Sequence, residues 1–358
     1  MNPLLQIRAQ GQQIWLDNLS RTLLNDGHLA RLIAEDGVAG VTTNPSIFHK
    51  AISEGRYYED DLAALKARDL GAETRYEQLV IPDVQRACDL LRPSFEESRG
   101  IAGYVSLEVS PALAHDAAAT VAAGLRLRQA VARDNLLIKV PATPAGLQAI
   151  EALIGQGISV NVTLMFSLAH VDAVAGAYVR GLEHLVNSGG DPTGVMSVAS
   201  LFLSRVDTLV DKALDGLGGE ALHWRGGTAV AMAKLAYARY LTRFHGSEFT
   251  ALHEAGARPQ YMLWASTGTK NPAYHDLLYV EPLIGPETVN TLPDATLVAL
   301  RDHGRVETSL GLGLADARLH FDALAALGID MVAVGERLQD EGLTQFENAF
   351  AQLLQLTA

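Results

Sequence analysis

A chain of 358 residues is long enough for one large α/β barrel or two ordinary domains. Its 48% hydrophobic and 19% charged residues describe a globular rather than a disordered protein. The formal net charge of −13 opposes non-specific binding to nucleic acid or anionic membranes, and the single cysteine, Cys88, excludes an intrachain disulfide framework or a multi-cysteine zinc site.

The N-terminal stretch from Met1 to Gln13 has no apolar signal-peptide core, and no apolar run approaches the length of a membrane span, so a cytoplasmic location is expected. From there, short β-rich runs alternate with longer amphipathic stretches. Strands are predicted at Ile14 to Asp17, Gly40 to Thr43, Gly103 to Val109, Leu136 to Val140, Ile158 to Val162, Gly194 to Ala199, Gln260 to Ala265 and Leu277 to Val280. The long connection from Ser46 to Gly100 should hold extra helices. Thr143-Pro144 reads as an N-cap followed by proline at the first helical position, and Leu147, Ile150, Leu153 and Ile154 mark one buried face before Gly155 and Gly157. Ser167 opens another helix, and Ser110-Pro111 and Thr228 look like further caps. Eight strands with helical crossovers favour a single (β/α)8 TIM barrel over a doubly wound sheet. With no linker or repeat, residues 1–358 are expected to form one domain, with 283–358 as C-terminal helices packed on the barrel.

Barrel active sites are built at the C-terminal ends of the strands. Those ends here carry Asp17, Thr43 and Asn44, Glu108, Lys139, Asn161 and Thr163, Ser200, and Ser266. Turn and cap chemistry alone accounts for some of them: Asn44-Pro45 is a standard turn signal, and Asp17-Asn18 suits a helix cap. Glu108 and Lys139 are harder to dismiss, because both fall inside β-type segments and need solvent or a partner. Desolvation disfavours a charged amine, and a neutral amine is a nucleophile for carbonyls, so the pair suggests Schiff-base chemistry. Glu108 and the Thr163 hydroxyl could relay the proton needed to remove water from a carbinolamine, and Asp17 fits the base that starts carbon–carbon cleavage. The carboxamides of Asn44 and Asn161 suit substrate hydroxyls. A protonated imine is its own electron sink, so no metal or organic cofactor is expected.

These segments resemble the transaldolase family. Gly40-Val41-Thr42-Thr43-Asn44-Pro45-Ser46-Ile47-Phe48 is similar to its first signature. Leu137-Ile138-Lys139-Val140-Pro141-Ala142-Thr143-Pro144-Ala145-Gly146-Leu147 is similar to the second, which carries the Schiff-base lysine, and Asn161-Val162-Thr163-Leu164-Met165-Phe166-Ser167 to the family's Asn-x-Thr-Leu-(Leu/Met)-Phe-Ser segment. The resemblance extends from Trp15 to about Pro282 and implies a (β/α)8 barrel. It also implies a Lys139 imine with the dihydroxyacetone unit of a ketose phosphate such as fructose 6-phosphate or sedoheptulose 7-phosphate. The acceptor would be an aldose phosphate such as erythrose 4-phosphate or glyceraldehyde 3-phosphate, in the non-oxidative pentose phosphate pathway. By the same resemblance Asp17 is the acid/base of C–C cleavage, Glu108 and Thr163 manage water, and Thr43, Asn44, Asn161, Ser200 and Ser266 line the substrate. Arg205, five residues after Ser200, takes the phosphate position. Sugar phosphates are the implied partners, and dimers occur in one branch of the family.

The chain also departs from the common pattern. Ser200-Leu201-Phe202-Leu203-Ser204-Arg205 lacks the usual proline and glycine, and Ala265-Ser266-Thr267-Gly268-Thr269-Lys270-Asn271 is two residues longer, with Lys270 where arginine is common. By the resemblance Lys270 is expected to bind substrate, supplying phosphate charge as a point cation that does not reproduce a bidentate fork. These differences suggest a longer, divergent bacterial-type branch. The 11 histidines show no metal-ligand spacing, Gly311-Leu312-Gly313 is not a dinucleotide fingerprint, and Gly226-Gly227-Thr228 reads equally as a phosphate cradle or a helix start. Two rivals stay open: an aldolase of the same mechanism that releases free dihydroxyacetone, and a sugar-phosphate sensor without turnover.

Overall fold

A computed structural model describes residues 2–358. Eight parallel strands close into a barrel in chain order. They are β1 (Gln12–Leu16), β2 (Gly40–Val41), β3 (Tyr104–Glu108), β4 (Leu136–Pro141), β5 (Val160–Met165), β6 (Ser197–Phe202), β7 (Tyr261–Ala265) and β8 (Thr288–Leu292). β1 also pairs with β8 across five residues, which removes the sheet edge. Strands buried on both faces carry near-continuous apolar runs, as Leu136 to Val140 does around its one lysine.

Seven of the eight expected strands are present with small shifts in their bounds. The eighth is a correction. Leu277 to Val280 is not a strand: Leu277, Tyr279 and Val280 are buried in the turns that precede β8. The closing strand is Thr288–Leu292, so the region from residue 283 onward begins with a piece of the barrel rather than with packed helices. Its polar side chains hid it. Thr288 donates to Gly285 O, Asn290 to Tyr279 O, and the Thr291 hydroxyl lies 2.7 Å from that of Thr42, so each is buried with a partner.

Local signals explain the other elements. Thr143 Oγ1 accepts from Gly146 N and starts the helix Pro144–Ile154. Ser167 caps Leu168–Asn187 through His170 N. Ser110-Pro111 instead opens a short 3-10 turn, Pro111–Leu113, without a side-chain cap. Thr228 is the first residue of the helix Thr228–Phe244, and its hydroxyl meets His320 Nε2 rather than the backbone. The connection after β2 holds Pro45–Glu54, Glu59–Lys66 and Ala72–Glu97. Gly40 is required where it stands, because a Cβ there would lie 2.5 Å from the buried Trp15 ring.

The long helix Met331–Thr357 crosses the mouth of the barrel. Gln339 Nε2 donates to Ala142 O (3.1 Å) just past β4 and to Leu164 O (3.0 Å) within β5. Leu164 has φ +59° at an irregularity in the β5–β6 register, which turns its carbonyl to this use. Among the described residues, no helix is long and apolar enough to cross a membrane.

Candidate active site

Glu108, Lys139 and Asn161 are register partners across β3, β4 and β5. Equal depth on neighbouring strands, with side chains on one face, brings all three to the barrel axis. Lys139 is 5% exposed. Its Nζ donates to Thr43 O at 3.0 Å and lies 3.5 Å from Glu108 Oε2, an ion-pair distance that is long for a hydrogen bond. Glu108 Oε2 is buried without a hydrogen-bond partner. Burial pushes the Glu108 carboxyl up to about 7, against the pull of Lys139 and with a smaller push from Asp17. The pair is thus an amine beside a carboxyl whose proton is exchangeable near neutrality.

Asp17 follows β1 directly, and its Oδ1 accepts from Thr42 Oγ1 at 2.7 Å. Burial raises its pKa, offset by Lys139 and then by the Thr42 bond. Thr43 donates to Ser106 O (2.7 Å), and Asn44 caps Pro45–Glu54 by accepting from Ile47 N (3.0 Å). Asn44 therefore does serve as a helix cap, which leaves its amide nitrogen free to meet a ligand. Beside the lysine runs a polar chain: Ser200 Oγ donates to Asn161 Oδ1 (2.7 Å), and Asn161 Nδ2 donates to Ser106 Oγ (2.9 Å). Thr163 Oγ1 is buried with no partner at all. An unpaired hydroxyl in a dry site is costly unless a ligand uses it.

Arg205 follows β6 at the start of the helix Ser204–Leu217, where its Nη1 is buried without a partner and its guanidinium lies 5.7 Å from the Phe202 ring. Burial lowers its pKa, and Glu341 opposes that. Ser266 takes φ +55° just past β7, and its hydroxyl is 2.8 Å from that of Ser204. Ser266 thereby joins the Arg205 end of the site. Lys270 does not. It is exposed and lines a cleft of about 240 Å³ with Asp207, Asp211, Asp215, Arg225 and Tyr274, a cleft that none of the other expected residues lines. A larger cleft, about 780 Å³, also lies elsewhere, beside Arg239, Arg243 and Arg318. Volume and chemistry point to different places, and the convergent titratable groups decide for the barrel mouth.

Sequence reasoning missed the roof and the supports. Phe346 places its ring 5.6 Å from Lys139 Nζ, and Phe350 meets Tyr76 edge-on at 5.6 Å. Both lie on the C-terminal helix. Glycines at 335 and 342 let that helix approach, since a Cβ on Gly335 would stand 2.5 Å from Ser167 Cβ and one on Gly342 3.1 Å from Leu164 Cδ2. The spacing of Gly335, Gln339, Gly342, Phe346 and Phe350 marks one helical face, but nothing in it says what that face covers.

The family model described as transaldolase/fructose-6-phosphate aldolase matches residues 14–357. A transaldolase of Thiobacillus denitrificans is 57% identical over 355 residues, covering 99% of each chain. One from Neisseria gonorrhoeae is 48% identical over 354 residues, again 99% of each. A Mycobacterium bovis transaldolase is 47% identical over 360 residues, covering 99% of this chain and 96% of the relative.

Proposed function

This chain belongs to the transaldolase/fructose-6-phosphate aldolase family, and on that premise we propose that Lys139 carries the transferred unit of a transaldolase reaction as a Schiff base. The observation that carries the reading is the buried Lys139–Glu108 pair, held in register at the barrel mouth with 3.5 Å between Nζ and Oε2. The Lys139 amine adds to the C2 carbonyl of a ketose phosphate. Glu108 donates a proton to the carbinolamine hydroxyl, which leaves as water, and the unpaired Thr163 hydroxyl holds that water on its way out and back. Asp17 takes the proton from the C4 hydroxyl, the C3–C4 bond breaks, and its electron pair passes into the iminium to give an enamine on Lys139. The aldose phosphate departs. An acceptor aldose phosphate enters, the enamine carbon attacks its aldehyde, and Asp17 returns the proton to the new hydroxyl. Water then releases the product.

The Ser200–Asn161–Ser106 chain fits the substrate hydroxyls, with Thr43 and Asn44 on the other wall. Arg205 suits the phosphate, because its buried Nη1 has no partner within the chain, and Ser266 stands beside it through Ser204. Lys270 is left without a part in this reading. Fructose 6-phosphate or sedoheptulose 7-phosphate as donor, and erythrose 4-phosphate or glyceraldehyde 3-phosphate as acceptor, match a site with one guanidinium at its far end. The buried Cys88 thiol suits a reducing, cytoplasmic setting.

Borohydride trapping with fructose 6-phosphate, followed by peptide mass mapping, tests the reading. A reduced adduct on Lys139, lost in Lys139→Ala, is expected. Product analysis with and without acceptor then separates transfer from release, and free dihydroxyacetone as the main product would favour the aldolase. Tight sugar binding without any adduct would sink the mechanism in favour of a sensor.

A further inference from the structure

We propose that His275, Asp276 and His303 form a binding site for a divalent transition cation of the zinc class on the outside of the barrel. One ligand atom from each of the three side chains lies within 4.8 Å of the others. A tetrahedral zinc with bonds of 2.0–2.1 Å spaces its ligands by about 3.3 Å. His303 Nε2 and Asp276 Oδ1 already stand 3.1 Å apart, and His275 Nδ1 lies 3.8 Å from the same oxygen. All three side chains are about half exposed, so they are free to rotate toward that spacing.

The surroundings preorganise it. Asp302 Oδ2 lies 3.2 Å from His303 Nδ1, the nitrogen that does not face Asp276. A carboxylate there fixes the tautomer that leaves the other ring nitrogen free for a metal. Leu277 N donates to His275 Nδ1 at 3.2 Å, a bond that a cation on that nitrogen would replace. The backbone between the two neighbouring ligands is pinned as well, since Thr269 Oγ1 donates to His275 O (3.0 Å) and approaches Asp276 O (3.3 Å), and Leu278 N donates to His275 O (3.1 Å). Two imidazoles and one carboxylate suit zinc, nickel or copper rather than calcium or magnesium, and leave a fourth position for water.

His275 and Asp276 sit in the connection from β7 to β8, and His303 ends the helix Asp294–His303 that follows β8. A bound cation would tie that connection, which begins at Ser266, to a rigid helix. The competing description is an imidazolium of His303 held between Asp276 and Asp302, without a metal. The proposal does not depend on the reaction at Lys139.

The test uses the untagged full chain, stripped with chelator, with zinc chloride as the probe in calorimetry and elemental analysis. One zinc per chain is expected, with a melting temperature that rises with zinc. The His275→Ala/His303→Ala variant should lose both effects while melting like the stripped wild type in chelator. Asp302→Asn should bind about tenfold more weakly, as an outer-shell partner does. No stoichiometric zinc in the wild type, or unchanged binding in the double variant, overturns the proposal and leaves the imidazolium pair.

Discussion

Replacing Glu108 by glutamine should flatten a pH dependence of stability that the wild type carries. The Glu108 side chain is 7% exposed, its Oε2 lacks a hydrogen bond, and burial moves its proton loss from the ordinary 4.5 to about 7. Between those pH values the folded chain holds a proton that the unfolded chain has released. Stability therefore falls as pH rises through this window, the opposite of a salt-bridged surface carboxylate. A gap of about 2.5 pH units at about 1.4 kcal/mol each gives a loss of about 3 kcal/mol by pH 8, an order-of-magnitude figure. Glutamine keeps the shape and cannot titrate. Urea unfolding of both proteins at steps from pH 4.5 to 8 should show the wild type losing about 3 kcal/mol relative to Glu108→Gln. In the same variant the imine steps should slow by about 10²–10⁴-fold, because the neutral acid is the proton donor. A stability difference that stays flat across the series would refute the argument, since it would mean that Glu108 ionises in the fold as easily as in water.

Arg205→Met should raise KM for fructose 6-phosphate by about tenfold to a hundredfold, the loss of a charge-assisted bond, while leaving unphosphorylated fructose unaffected; equal changes for both sugars would remove Arg205 from the phosphate. Thr163→Val swaps a buried, unpartnered hydroxyl for a methyl of the same shape, so stability should hold or rise by about 1 kcal/mol while adduct formation slows. Stopped adduct trapping measures the second effect, and an unchanged rate would return Thr163 to the core. Gly335→Ala puts a methyl 2.5 Å from Ser167 Cβ, neither of which can swing aside. It should cost about 1–3 kcal/mol in urea unfolding and raise KM by displacing the roof; a variant as stable and active as wild type would show that the helix is not held at that point.

How much of this was legible beforehand varies with the physics of each piece. Glu108 and Lys139 stood out because charge inside an apolar strand is costly, and the barrel register then put them side by side. Ser200, Asn161 and Thr163 followed from strand exits. β8 was not legible, because Thr288, Asn290 and Thr291 each find a hydrogen-bond partner in neighbouring turns or just past β2, and polarity alone argued against a core strand. The apolar run of Leu277 to Val280 competed for its place, being buried without being extended. Lys270 was placed by analogy of position, and it lines a different cleft. The roof depended on where the helix Met331–Thr357 docks, a long-range choice made by Gln339 reaching two strand-end carbonyls far away in sequence.

That docking also gives the site an order of assembly. Every barrel strand ends by Leu292, whereas Gln339, Phe346 and Phe350 are translated later. A chain emerging from the ribosome can close its barrel and set Lys139 opposite Glu108 before the aromatic rings that dry the amine exist. The nucleophile is born wet and is roofed over last, so an interruption of synthesis before Met331 would yield a barrel whose lysine still faces water.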